Sequence, residues 1–127
     1  MIAVDTSALM AILLSESEGS ACADALATND RIVISTATVA EALIVAERRN
    51  LGAEMARLVD GLRLEIASIS LATTRRVAEC YARWGKGMNP AGLNFGDCFA
   101  YEVARSHDCP LLFVGQDFAR TDIVSVL

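Results

Sequence analysis

The stretch RIVISTATVAEALIVAERR, residues 31–49, decides the fold of this chain. It opens on a run rich in Ile and Val, which favour a β-strand. Thr36 then begins an apolar helix that closes on the basic residues Arg48 and Arg49. The same order of a short strand and a helix returns along the chain, and such alternation predicts an α/β fold with a mainly parallel sheet and helices on both faces.

The other elements are predicted from apolar runs, capping residues and breaks at Gly, Asn and Pro. Thr6 or Ser7 is expected to cap the first helix, which would leave Asp5 free for chemistry. The further strands are expected at 2–5, 64–69 and 110–114, with 122–127 as a candidate final strand, and the further helices at 7–14, 17–27, 53–63, 71–85 and 96–107, with a loop at 86–94.

Composition predicts a single packed domain over residues 1–127. Of these 127 residues 54% are hydrophobic and 21% charged, and there is no repeat or linker. The four cysteines include no CxxC pair, and His107 is the one histidine that could join them. A zinc site is therefore not expected, and the thiols are predicted to be reduced and mostly buried.

The apolar N-terminal stretch does not have the pattern of a signal peptide. It lacks a basic region, and Asp5 interrupts it. No stretch approaches the roughly 20 apolar residues that a membrane helix needs, so we expect a soluble, cytoplasmic protein. The net charge of −5 differs from the basic footprint of most nucleic-acid-binding proteins. A cluster of carboxylates built to hold cations would itself make a small domain acidic.

Three acids stand where an α/β fold places chemistry. Asp5 ends the first strand, and the carboxyl ends of parallel strands are where such folds form their sites. Glu41 interrupts an apolar helix face, so it needs a cation, a basic partner or a cleft. Asp97 follows Gly96 at the start of a helix, where it also suits the helix dipole.

A fourth acid is expected after strand 110–114, at Asp117 or Asp122. We favour Asp117, because it follows the strand directly, at the edge where Asp5 should leave its own strand. A buried Phe118 would fix its direction. Asp122 instead stands where a final edge strand would begin, and Arg120 is available as its surface partner.

Four segments in order resemble a PIN domain and, more closely, the VapC-type toxins of bacterial toxin–antitoxin pairs. They are MIAVDTSAL (1–9), TATVAEA (36–42), NPAGLNFGDCFAY (89–101) and LLFVGQDFARTDI (111–123). The resemblance implies a three-layer α/β/α PIN-like fold and a Mg²⁺- or Mn²⁺-dependent ribonuclease. It also implies a homodimer and a cognate antitoxin that reaches into the acidic pocket.

The resemblance carries the metal and catalytic roles to Asp5, Glu41 and Asp97, with Asp117 as the fourth acid. Supporting positions are Thr6, Ser7 and Asn94. The sequence departs from many relatives at Gln116, where they carry an acid. Because an acidic site repels RNA until a cation binds, basic residues must assist from its rim, and the candidates are Lys86, Arg83 and Arg120.

Other readings of an acidic α/β domain fit less well. A receiver-type phosphoacceptor domain needs an Asp at the end of the third strand and a late Lys, whereas that strand ends in ASIS and Lys86 is the only lysine. An aspartyl-nucleophile phosphatase could use Asp5 but also lacks a late Lys. A non-catalytic binding module would tolerate the loss of acids from the pocket, and the full set argues against it.

Overall fold

A four-stranded sheet runs through the computed structural model, which describes residues 1–127, and every strand pairing in it is parallel. β1 (Ile2–Val4) is flanked by β2 (Ile32–Ser35) and β4 (Leu111–Leu112), and β3 (Glu65–Ala67) is the edge strand beside β2. Parallel strands have all their carboxyl ends at one edge of the sheet, so the residues that follow β1, β2 and β4 meet there. The predicted α/β class is confirmed.

Six helices connect the strands and cover the sheet. None of them combines the length and the apolar composition that crossing a membrane requires. In chain order they are α1 (Thr6–Leu13), α2 (Gly19–Thr28), α3 (Thr36–Glu47), α4 (Gly52–Gly61), α5 (Leu71–Trp84) and α6 (Phe95–Ser106).

The strands divide their side chains between two hydrophobic clusters, one on each face of the sheet. In β1, Ile2 and Val4 join the cluster built with α1 to α4, whereas Ala3 joins the cluster built with α5 and α6. β2 alternates in the same way. A strand buried on both faces needs apolar residues at every position, which explains the unbroken apolar runs and gives the predicted three layers.

The C-terminal segment does not form the candidate strand over 122–127. Its contact with the sheet is one bridge, in which Leu111 N donates to Val124 O at 2.9 Å and Val126 N donates to Leu111 O at 3.1 Å. β4 is also shorter than predicted. Val114 N donates to the Ser7 hydroxyl at 3.0 Å instead of to a neighbouring strand, so the backbone leaves the ladder early.

The four cysteines are free, as predicted. Cys22, Cys80 and Cys98 are buried and Cys109 is half-buried. Their thiols serve as small apolar groups in the packing between helices and sheet.

Candidate active site

Four carboxylates gather at the carboxyl edge of the sheet. Asp5 follows β1, Glu41 lies on the helix after β2, Asp97 stands in the first turn of α6 and Asp117 follows β4. Their negative charges act on one another: Glu41 and Asp117 raise the pKa of Asp5, and all three of the other acids raise the pKa of Asp97. The structure thus brings together the four acids that the sequence analysis selected.

Asp5 is buried and is the N-cap of α1. Its Oδ2 accepts from Ser7 N at 3.1 Å and from Ser7 Oγ at 2.7 Å. The expectation that Thr6 or Ser7 caps this helix is therefore wrong, because the residue before the first turn has the extended backbone that a cap requires. Burial raises the pKa of Asp5, and the two hydrogen bonds from Ser7 oppose that effect.

Glu41 reaches from α3 toward the ends of α1 and α6. Its Oε1 accepts a hydrogen bond from Thr6 Oγ1 at 2.6 Å. Its Oε2 lies against Gly96, where a Cβ would overlap that oxygen. Gly96 therefore makes room for the carboxylate. The sequence analysis did not select it, although a glycine in a first helical turn beside a candidate acid was the available signal.

Asp97 is held by a capping box with Asn94 at the start of α6. Asn94 Oδ1 accepts from Asp97 N at 2.8 Å, and Asn94 N donates to Asp97 Oδ2 at 3.0 Å. Burial, with a smaller contribution from the neighbouring carboxylates, raises the pKa of Asp97 to about 7, against the lowering effect of the Asn94 N–H. Asn94 thus supports the site by orienting one oxygen of this acid.

Asp117 is exposed, on the turn that follows β4. The next residue, Phe118, is buried, and its ring lies 5.1 Å from that of Phe113, centroid to centroid. The prediction that Phe118 anchors this turn by burying its ring is confirmed.

Asp122 belongs to a different cluster, between α5 and α6. The Tyr101 hydroxyl donates to Asp122 Oδ1 at 2.7 Å, and the guanidinium groups of Arg83 and Arg105 lie 3.7 Å and 3.9 Å from Oδ2. The predicted partner, Arg120, instead donates to Pro90 O at 3.5 Å. Asp122 therefore joins the C-terminal segment to two helices and does not begin a strand.

The three rim candidates lie on different parts of the surface. Arg83 is paired with Asp122 and stacks on the Trp84 ring at 4.6 Å. Arg120 contacts the loop between α5 and α6, and Lys86 lies in that loop, where its carbonyl accepts from the Tyr81 hydroxyl at 2.9 Å. None of the three forms an ion pair with the four clustered acids.

The donor set has the chemistry that a hard divalent cation prefers. No basic side chain pairs with any of the four acids. Oδ1 of both Asp5 and Asp97 makes no hydrogen bond within the protein, and neither atom is completely buried. As the side chains stand, no three of them surround a common point that could hold an ion. Asp5, Glu41 and Asp97 each turn toward a donor of their own, so a shared ion would require side-chain rotation.

Comparison with known proteins gives concordant matches over nearly the whole chain. The family model of the PIN domain matches residues 2–124. The chain is 42% identical over 130 residues to the Ribonuclease VapC of Mycolicibacterium smegmatis, covering 97% of this chain and 98% of that protein.

Two solved structures have a similar fold at low sequence identity. The crystal structure of VapC20 from Mycobacterium tuberculosis, a sarcin–ricin loop cleaving toxin, superposes with a TM-score of 0.78 at 17% identity, over 98% of this chain and 97% of that one. A toxin–antitoxin complex from Klebsiella pneumoniae gives 0.74 at 19% identity, over 100% and 97% of the two chains.

Proposed function

Because this chain belongs to the PIN-domain family and, within it, to the VapC ribonucleases, we propose that it is a divalent-cation-dependent endoribonuclease. The observation that carries the proposal is the group of acids at the carboxyl edge of the sheet. Two of them are buried, and none has a basic partner. Buried like charges without compensation are costly, and a cation removes that cost.

Asp5, Glu41 and Asp97 are the proposed ligands, with Asp117 as the fourth and Mg²⁺ or Mn²⁺ as the ion. When bound, such an ion neutralises charge on the scissile phosphate and lowers the pKa of an attacking water. One or two ions are compatible with four carboxylates.

The chain's own residues orient these carboxylates. Ser7 fixes Oδ2 of Asp5, Asn94 fixes Oδ2 of Asp97, and Thr6 fixes Oε1 of Glu41. In Asp5 and Asp97 the other oxygen makes no hydrogen bond within the protein, so it is the one that a shared ion would engage after the side chains rotate. Donors of this kind tune metal sites strongly, since their loss typically costs 10- to 100-fold in affinity or activity.

RNA approaches a cluster that is negative until the cation binds. We propose that Lys86 and Arg120, on and beside the loop between α5 and α6, attract its phosphates. Arg83 is a weaker candidate, because its guanidinium is already shared between Asp122 and the Trp84 ring. Lys86 has no ion pair, so its charge is free for a phosphate.

We further propose two protein partners: a second copy of this chain and a cognate antitoxin. Large apolar side chains remain exposed on the helices and on β3, among them Ile44 and Ile66. A groove of about 410 Å³ beside Ile66 is lined by Val39, Val59 and Leu64. A VapB-type antitoxin would cover apolar surface of this kind and extend a cationic residue toward the acids.

The decisive experiment measures RNA cleavage with Mg²⁺ or Mn²⁺, with excess EDTA, and with the variant Asp5→Asn. Cleavage is expected only for the wild type with added metal. Asp24→Asn, an exposed acid on α2, is the matched control and should cleave like the wild type. Cleavage in EDTA, or undiminished cleavage by Asp5→Asn, would contradict the proposal.

A further inference from the structure

Phe95 is the only aromatic side chain that this protein exposes. The sequence has four Phe, two Tyr and one Trp, and the other six rings are buried or half-buried. Phe95 is 73% exposed. The chain therefore leaves one large apolar ring in water, at a single place.

That place is the first turn of α6, the turn that also carries Asp97. Phe95 is the first residue of α6, directly after the capping residue Asn94 and two residues before Asp97. Its ring meets that of Phe99 edge to face, with centroids 5.0 Å apart and planes at 79°. This geometry is favourable for an aromatic pair and holds the Phe95 ring in a fixed orientation.

A pocket of about 280 Å³ opens beside the ring, between α5 and α6. Phe95 and Phe99 form one wall with Cys98, and Val77 and Tyr81 contribute from the facing helix. Cys98 follows Asp97 in the chain, so the pocket and one of the four acids share the start of α6, on different sides of the helix.

The α5 wall of the pocket contacts the loop that follows this helix. The Tyr81 hydroxyl, on the pocket wall, donates to the carbonyl of Lys86. A flat apolar group bound here would thus lie between α5 and the first turns of α6, near the loop that joins these helices.

We propose that this pocket is a nucleobase subsite, in which Phe95 stacks on a base next to the scissile phosphate of a single-stranded RNA segment. The inference rests on the proposed ribonuclease function. Every base has a π-face, and recognition of single-stranded RNA relies on stacking against aromatic side chains. An acidic site binds RNA weakly by charge alone, so a stacked base adds affinity without adding positive charge.

The first test compares Phe95→Ala, Phe95→Leu and Phe95→Tyr on an oligoribonucleotide whose cut position has been mapped. Phe95→Ala and Phe95→Leu should raise KM about tenfold with kcat nearly unchanged, and Phe95→Tyr should restore the wild-type KM. Val124→Ala, which truncates a 66% exposed apolar side chain elsewhere, is the control and should behave as the wild type. A Phe95→Leu protein with wild-type KM would overturn the inference, because Leu is apolar but cannot stack.

The second test uses the same oligoribonucleotide with an abasic nucleotide on each side of the cut in turn. One abasic position should weaken binding to the wild type about tenfold, and Phe95→Ala should bind the abasic and intact forms equally. Equal binding of all forms by the wild type would refute the subsite. Light scattering completes the test, because a loss of dimer mass in Phe95→Ala would assign the ring to an interface between two copies.

Fluorescence anisotropy with labelled oligoribonucleotide on the cleavage-deficient Asp5→Asn protein separates the two proposals. If the wild type cuts no RNA but binding still depends on Phe95, the ribonuclease proposal fails and the base subsite stands. If the wild type cuts RNA and neither binding nor KM depends on Phe95, only the subsite fails.

Discussion

The hydroxyl of Thr6 donates a 2.6 Å hydrogen bond to Oε1 of Glu41, a residue 35 positions later in the chain. The bond joins the first turn of α1 to the middle of α3. Thr6 is buried and the acceptor is charged, so this hydrogen bond belongs to the stronger class.

Thr6→Val should therefore impair both the site and the fold. The isosteric change leaves Glu41 without its donor, and we expect cleavage to fall about tenfold and the free energy of unfolding to fall by about 1–3 kcal/mol. Thr6→Ser keeps the donor and should retain most of the activity. Cleavage rates and urea denaturation of the two variants check this, and equal activity of Val and Ser variants would show that the hydroxyl does not matter.

Gly96→Ala should reduce cleavage, since its Cβ would displace the Glu41 carboxylate. Gly61→Ala is the matched control, because nothing lies within 4 Å of a Cβ at that position in α4. The control should keep full activity and gain up to about 1 kcal/mol of stability from the helix propensity of Ala. Activity measured alongside thermal unfolding distinguishes the two substitutions. An active Gly96→Ala protein would mean that Glu41 can move aside without consequence.

Stability without metal should fall as the pH rises from about 4 to about 7. The folded state holds the Asp97 proton up to a pKa of about 7, whereas the ordinary pKa of an Asp side chain is 3.8. Between these values the folded protein binds more protons, so the free energy of unfolding decreases with pH.

Asp97→Asn should weaken this dependence and, at pH 8 in EDTA, be more stable than the wild type. The raised pKa of Asp5 should preserve part of the dependence in the variant. Chemical denaturation at pH 5 and at pH 8 tests the difference. A wild-type protein that is equally stable at both pH values would exclude the raised pKa.

Asp117→Ala and Asp122→Ala should have opposite effects. Asp117 is exposed among the clustered acids, so its loss should weaken Mn²⁺ binding and cleavage, though less than Asp5→Asn, and leave stability nearly unchanged. Asp122 accepts from Tyr101 and lies near Arg83 and Arg105. Its loss should lower the free energy of unfolding by about 1–2 kcal/mol with metal binding intact. Isothermal titration with Mn²⁺ and thermal unfolding measure both, and the reverse ranking would identify Asp122 as the fourth acid.

The local sequence pattern was sufficient to predict the sheet, the helices and the position of the acids at the carboxyl edge of the sheet. Continuous apolar runs indicate strands that are buried on both faces, and parallel strands bring their carboxyl ends together. The position of Asp5, Glu41 and Asp97 relative to these elements therefore followed from the sequence.

Contacts between distant residues were not predictable in this way. Glu102 is buried and bound to Arg76 at 2.8 Å, which no local pattern around either residue indicates. The partners of Asp122 were missed for the same reason. Tyr101 and Arg105 lie on α6, and the sequence around Asp122 does not indicate that the C-terminal segment packs against this helix. The capping role of Asp5 was missed because Thr6 and Ser7 are equally competent caps by type, and only backbone conformation selects among them.

The hydrogen bonds of the Ser7 hydroxyl bear on the stage of folding at which the acidic site is assembled. It donates to Asp5 and accepts from Val114 N, 107 positions later, at the point where β4 has just paired with β1. A chain emerging from the ribosome can pair β1 with β2 and form α1 to α4 before Asp117 and β4, the second partner of β1, have been made. The four acids therefore cannot all be in place until the segment that follows β4 has been synthesised and has closed over β1.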